Sequence, residues 1–297
     1  MHDVRALPRR VLILGMGYSG RLLATRLHSL GVQVSGTVRN PTEAPLDGLT
    51  RHALVAGRDP DAALLAAVDQ ADAVLSSVPP DADGDPALRV LHDALQASSA
   101  LRWVGYLSST GVYANRDGGW VDARSEADGR SSAALHRLRA EAQWQALATA
   151  RTLDSAVFRL PALYGRGRNA LVQLAEGRAR QVLRPGLVFN RLHIEDLAAV
   201  IIAALRQPSG HTLYLPADDE PSPPQDVLAY AARLSGRAMP PAQAWDDASV
   251  SPTLRRFYES NKRIDSRETR ALLQWQPCFP SYREGLQDAW AHGDGRQ

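Results

Sequence analysis

Six consecutive residues, Gly15-Met16-Gly17-Tyr18-Ser19-Gly20, have the types and spacing to hold a diphosphate against the main chain. Gly15 permits a tight turn, Gly17 lets the backbone approach a pyrophosphate, and Gly20 lets a helix pack closely on a strand. Hydroxyls recur further along in Ser109, Thr110 and Tyr113, groups that can donate to a substrate oxygen or pass it a proton. Arg39-Asn40 lies between these two sets. An acid at that place would accept hydrogen bonds from an adenosine ribose, whereas a cation suits a 2′-phosphate. No Asp or Glu lies between Arg21 and Asn40, which favours NADP(H), with NAD(H) the lesser alternative.

These residues need a strand before them and a helix after them, and the flanks provide both. Val11 to Leu14 is a short apolar, branched run that reads as a buried strand, and Leu23, Leu27 and Leu30 recur at helical spacing. Val32 to Val38 reads as a second strand ending at Arg39. Leu54 to Ala56 is expected as a third, Ala73 to Ser77 as a fourth, Trp103 to Leu107 as a fifth and Ala156 to Leu160 as a sixth. Helices are expected at Asp61 to Val68, Ala87 to Gln96 and Ala133 to Ala150, with a polar loop over Asn115 to Arg130. Strands alternating with helices predict an α/β fold, a doubly wound, Rossmann-like parallel sheet. The carboxyl ends of its strands would then gather Gly15, Arg39, Ser77-Val78-Pro79 and Ser109.

The second half reads differently. Gly165 to Asn190 is Gly- and Arg-rich and expected to be irregular. Ile194 to Leu205 is an amphipathic helix with Glu195 and Asp196 in its first turn, where the dipole favours them. Leu213 to Leu215 is a short strand, a helix runs to about Leu234, Ser235 to Pro252 is loop-rich, and two or three short helices finish the chain. The expected division is a dinucleotide-binding domain over 1–165, with 190–215 returning to it. Residues 166–189 and 216–297 would form a smaller substrate lobe.

Composition narrows the function classes. The 297 residues carry a formal charge of +2 with no run of five like charges, which argues against a nucleic-acid-binding stripe. Cys278 is the one cysteine, so no internal disulfide forms, as suits a reducing compartment. There is no apolar signal region and no stretch of 18 apolar residues; a cytoplasmic protein with no membrane partner is expected. The eight histidines are scattered without HExxH or CxxC, so no metal is expected.

Four segments together resemble the extended short-chain dehydrogenase/reductases of the nucleotide-sugar epimerase and dehydratase type. They are Gly15 to Gly20, Leu107-Ser-Ser-Thr-Gly-Val-Tyr113, Phe158-Arg-Leu-Pro-Ala-Leu-Tyr-Gly165 and Arg191-Leu-His-Ile-Glu-Asp-Leu-Ala198. The resemblance covers roughly the first 200 residues by order and spacing. It implies that Ser109 holds the place of the family's catalytic serine or threonine, with Thr110 beside it. It implies that Ser77, Val78 and Pro79 face the adenosine, that Pro161 and Leu163 line the nicotinamide, and that His193 and Asp196 tie the start of the following helix to the core; Tyr164, Arg168 and, as the alternative for it, His193 are candidates to face the substrate.

The family's chemistry also uses a tyrosine and, four residues on, a lysine at the start of the long helix. Aligning the following glutamate on Glu141 places Ala133 and Arg137 at those positions. No tyrosine occurs between Tyr113 and Tyr164, and Lys262 is the only lysine. The chain is therefore similar to an atypical subgroup that keeps the nucleotide fold. Ser109, Thr110, Tyr113 and Arg137 are the candidates for replacing the missing chemistry. Arg166, Arg168 and Arg191 are candidates to face an anionic substrate. Trp144 and Leu147 on the long helix would pack against the sheet or against a second copy, since the family often dimerises through that helix. Three functions stay open: an NADP(H)-dependent oxidoreductase on a small or anionic substrate, a non-catalytic dinucleotide sensor or scaffold, and a nucleotide-sugar epimerase or dehydratase.

Overall fold

The computed structural model describes residues 6–40, 48–55 and 57–296; residues 1–5, and Ala56 of the expected third strand, lie outside them. Strand β1 (Arg10–Leu14) carries four branched apolar residues in a row, the pattern of a strand covered on both faces. Val11 and Ile13 enter one core, Leu12 and Leu14 the other. The chain continues through α1 (Tyr18–Ser29), β2 (Gln33–Val38), β3 (Thr50–Ala53), α2 (Ala62–Gln70), β4 (Ala73–Ser76), α3 (Pro86–Ala97) and β5 (Trp103–Ser109). Next come β6 (Trp120–Val121), α4 (Ser132–Arg151), β7 (Asp154–Leu160), β8 (Ala162–Tyr164), α5 (Ala170–Ala175), β9 (Gln181–Leu183), β10 (Arg191–His193), α6 (Ile194–Arg206) and β11 (His211–Tyr214). The chain closes with α7 (Pro224–Ser235), β12 (Ala242–Ala244), α8 (Pro252–Glu259), β13 (Arg263–Ile264), α9 (Arg267–Leu273) and α10 (Tyr282–Ala291).

Seven strands form one parallel sheet in the order β11-β7-β5-β4-β1-β2-β3. The winding reverses beside β1: the chain goes outward to β2 and β3, then returns to β4 and beyond. That reversal leaves a crevice at the carboxyl ends of β1 and β4. Helices α1 and α6 cover one face, with Leu23, Leu27, Leu197 and Ile201 in the core beneath them. Helices α2, α3 and α4 cover the other, contributing Leu64, Leu91 and Leu147. Full burial of each such side chain stabilises the fold by roughly 1.5–3 kcal/mol. The fold is the doubly wound, Rossmann-like α/β architecture that the alternating pattern predicts.

Helix starts on the α2–α4 face are capped by their own residues. Asp61 Oδ1 accepts from Leu64 N at 2.7 Å, Asp85 Oδ1 from Ala87 N at 2.8 Å, and Ser131 Oγ from Ala134 N at 3.1 Å. Trp144 and Leu147 are buried in the sheet core, and Trp144 Nε1 donates to Asp85 Oδ2 at 2.8 Å. Of the two alternatives for these residues, packing on the sheet is the one observed.

Three local expectations need correction. The third strand is Thr50–Ala53 and not Leu54–Ala56: a polar edge strand held by backbone pairing to β2 carries little apolar signal. The segment Gly165–Asn190 is more regular than expected, because Asn169 caps α5 and β9 pairs with β12. That same pairing gives order to part of Ser235–Pro252. No helix among the described residues is long and apolar enough to cross a membrane.

Candidate functional site

A cleft of about 940 Å³ opens at the carboxyl ends of β1, β2, β4, β5 and β7. The glycine turn forms its floor. Gly15 has φ +90°, a conformation that disfavours any side chain. Gly15 N donates to Thr37 Oγ1 at 2.9 Å, Met16 N to Thr37 O at 2.8 Å, and Ser77 Oγ to Gly15 O at 2.6 Å. The turn is thus tied to the ends of β2 and β4. A Cβ on Gly20 would stand 2.4 Å from Gly15 O, so only glycine lets α1 sit this close to β1. A Cβ on Gly17 would meet nothing within 4 Å. Gly17 is the N-cap of α1, and no side chain caps that helix. Its first turn therefore presents backbone N–H groups and the positive end of the dipole at the cleft, an arrangement that suits phosphate oxygens.

Most of the expected residues meet here. Gly15, Met16, Gly17, Tyr18, Ser19, Arg39, Ser77, Val78, Pro79, Ser109, Arg137, Pro161, Leu163 and Arg168 all line the cleft. Gly20 lies behind the turn as packing. Asn40 is exposed at the end of β2, outside the lining, and Thr110 is in the 3-10 turn beyond β5. Among the described residues the lining holds four arginines, Arg21, Arg39, Arg137 and Arg168, and no Asp or Glu. That makes it an anion-attracting cleft. Ser109 Oγ accepts from Gly111 N at 3.0 Å, closing the strand end, and its O–H donates to no acceptor among the described residues.

Five further side chains expected at the site are elsewhere. Tyr113 is buried, donates to Asp122 O at 3.2 Å and accepts from Arg159 Nη1 at 3.0 Å; burial raises its pKa. Tyr164 is buried and donates to Ser281 O at 3.0 Å. His193 is buried between Tyr164 and Phe279, and its Nδ1 accepts from Glu195 N at 3.3 Å. Burial pushes His193 down to about 4, which disfavours the imidazolium form near neutral pH. Arg191 is turned inward onto Phe189 O and Ser222. Of the three arginines expected to face substrate, Arg166 pairs with Asp288 at 2.8 Å and only Arg168 lines the cleft, its guanidinium 5.5 Å from the centre of the Tyr18 ring.

Beside Arg191, Asp218 is 4% exposed, and among the described residues neither carboxyl oxygen makes a well-aligned hydrogen bond, although the Glu220 backbone N–H lies near enough to ease its charge. Burial raises its pKa to about 8, and the nearby Arg191 only partly offsets this. A carboxyl whose folded-state pKa lies above its unfolded value stabilises the fold at low pH. That contribution is lost as pH rises from near 4 to about 8. Asp218→Asn is therefore expected to melt with the wild type near pH 4 and to exceed it by on the order of a few kcal/mol near pH 8. Parallel melting-temperature curves across that range would contradict the assignment.

One network was invisible in the sequence. Glu141 on α4 accepts from Arg159 Nη2 at 2.7 Å and Nε at 3.1 Å, and from Ser108 Oγ at 2.5 Å. All three residues are buried, and Ser108 lines the cleft. The ion pair thus braces the end of β5 from behind, next to Ser109. Lys262, also buried, does not line the cleft; its Nζ donates to Tyr113 O at 2.9 Å and to Ser260 Oγ at 2.5 Å.

The profile of the NAD dependent epimerase/dehydratase family matches residues 11–214, from β1 to β11. The chain belongs to this family. Among solved structures, this epimerase/dehydratase-family chain is similar to a functionally unknown conserved protein from Silicibacter pomeroyi DSS. They share 38% identity with a TM-score of 0.86, covering 96% of this chain and 99% of that one. UDP-glucuronic acid 4-epimerase from Bacillus cereus, in complex with UDP-glucuronic acid and NAD, gives 17% identity and a TM-score of 0.75 over 95% and 98% of the two chains. MoeE5 in complex with UDP-glucose and NAD gives 18% and 0.74 over 95% and 98%. At these lower identities the likeness is one of fold. No curated protein matches the chain.

Proposed function

We propose that this family member is an NADP(H)-binding oxidoreductase that acts on a small or anionic substrate without the family's tyrosine–lysine pair. The cleft carries this reading: α1 begins uncapped at open space, and the lining supplies arginines with no carboxylate. The turn from Gly15 to Gly20 would hold the diphosphate. Arg39, with Asn40 beside it, would hold the 2′-phosphate; Ser77, Val78 and Pro79 the adenosine side; Pro161 and Leu163 the nicotinamide side. When bound, a nicotinamide supplies or accepts hydride at a positioned carbonyl or alcohol. The free O–H of Ser109 donates to the substrate oxygen, and the proton passes through that hydroxyl or through water.

The departure from the usual pair is supported by the residues at hand. Ala133 has no phenol, and Arg137 carries a guanidinium where the family has an amine. Among the described residues Tyr18 is the one tyrosine lining the cleft; it donates to Arg166 O at 3.2 Å, and burial raises its pKa to about 12. Such a phenol is a poor acid at pH 7.

Arg39 is exposed and makes no ion pair among the described residues, so it is open to a phosphate. Arg39→Ala is expected to weaken NADPH binding by about 10-fold or more while leaving NADH binding within about 2-fold, as loss of a charge-assisted contact requires. Fluorescence titration checks this; equal losses for both dinucleotides would refute the preference. A nucleotide-sugar epimerase or dehydratase is the second reading, favoured by membership of the family and by the fold shared with UDP-sugar-bound neighbours. Steady interconversion of a UDP-sugar without net dinucleotide change would select it. Tight dinucleotide binding with no turnover of carbonyls, alcohols or sugar nucleotides would select a sensor.

A further inference from the structure

Three of the four arginines of the cleft stand with the glycine turn and the start of α1: Arg21 on α1, whose Nε donates to Met16 O at 3.0 Å, Arg39 after β2, and Arg168, whose guanidinium lies 5.5 Å from the centre of the Tyr18 ring. Arg137 lies on α4 at the opposite wall, beside Ser108 and Ser109. It donates from Nη1 to Leu107 O at 3.2 Å and makes no ion pair among the described residues. Its natural partner is Glu141, one helical turn on at i+4. That carboxylate is already committed to Arg159, through Nη2 and Nε, and to Ser108. Arg159, not Arg137, thus takes the helix's buried negative charge. Ala133, one turn earlier on the same helix, is exposed and ends at Cβ.

Arg137 is therefore a half-buried cation whose polar neighbours are the Leu107 carbonyl and the buried Tyr106 phenol, in a cleft that holds no carboxylate among the described residues. Two parallel N–H donors on a planar guanidinium match the two oxygens of a carboxylate or a phosphate. We propose that Arg137 is the receptor for an oxyanionic group of the substrate, carboxylate or phosphate, and that this docking holds the reacting carbon near Ser109. This deepens the oxidoreductase reading and rests on it for the word substrate; the anion site itself stands on the geometry of Arg137. Arg137 would then not be a mere substitute for the lysine that the resemblance places four residues after the family's tyrosine.

The test is calorimetric titration of the protein saturated with NADP⁺, using lactate, inorganic phosphate and neutral lactamide as probes. One of the two anions is expected to bind and lactamide not to bind, with lactate or phosphate identifying the group. Arg137→Gln is expected to weaken that anion by about 10- to 100-fold while NADP⁺ affinity stays within about 3-fold. Anion binding unchanged in Arg137→Gln overturns the proposal. So does a matching loss of NADP⁺ affinity, which would assign Arg137 to the cofactor, and so does the absence of binding by either anion. If the wild type binds no dinucleotide, the oxidoreductase reading fails separately. The same titration without dinucleotide then decides the anion site: a loss confined to Arg137→Gln supports it, and equal binding removes it.

Discussion

Gly20→Ala is expected to weaken dinucleotide binding by at least about 100-fold and to lower stability by about 1–3 kcal/mol, the range for overpacking a close contact. The added Cβ would lie 2.4 Å from Gly15 O and 3.3 Å from Ile13 Cγ2. The first of these is backbone that is itself held, because Ser77 Oγ donates to it at 2.6 Å. Relief can come only by lifting the start of α1 off β1, which moves the N–H groups meant for the diphosphate. Gly17→Ala separates the two effects. Gly17 has φ −78°, which alanine adopts freely, and its Cβ would meet no protein atom within 4 Å. That variant is expected to keep the wild-type melting temperature and still lose affinity, since its methyl group occupies the space through which the diphosphate approaches. A Gly20→Ala protein that melts and binds like the wild type would mean that the turn is looser than its geometry indicates.

Glu141→Leu is expected to destabilise the fold by about 3–5 kcal/mol, because it leaves the Arg159 guanidinium buried and unpaired. The two side chains are only 10% and 11% exposed, so water cannot take over the lost contacts. Ser108 loses its acceptor in the same step, and with it the brace behind Ser109. Replacing both members, Glu141→Leu with Arg159→Leu, removes the stranded charge and is expected to recover most of the loss. Urea denaturation of the wild type and the two variants measures this directly. Equal destabilisation by the single and double variants would show that packing, not the ion pair, holds the end of β5.

What the sequence displays and what it hides follows from how far apart the interacting residues lie. The start of the fold is local: Val11 to Leu14, the glycine turn and the Leu23–Leu27 spacing name a strand, a tight turn and a helix within one stretch. Strand ends at Arg39, Ser77 and Ser109 are legible for the same reason, since each follows its own apolar run, and the parallel winding gathers them. The edge strand Thr50–Ala53 is not, because its polar residues owe their place to hydrogen bonds from β2. Tyr164 and His193 follow cleft-forming segments in sequence, yet β8 and β10 pair with each other outside the main sheet. Their rings meet Ser281 and Phe279, more than eighty residues away, and no local pattern shows that. Arg159 reads as one polar residue in a strand. Only the register of α4 against β7 reveals that it claims Glu141 and leaves Arg137 to the cleft.

The central claim, that the cleft holds a nicotinamide dinucleotide with a phosphate preference set by Arg39, is tested most directly by titrating the wild-type protein with NADPH and NADH while following tryptophan fluorescence. Saturable binding of both, tighter for NADPH, is the predicted result. Binding of neither, or tighter binding of NADH, would contradict it.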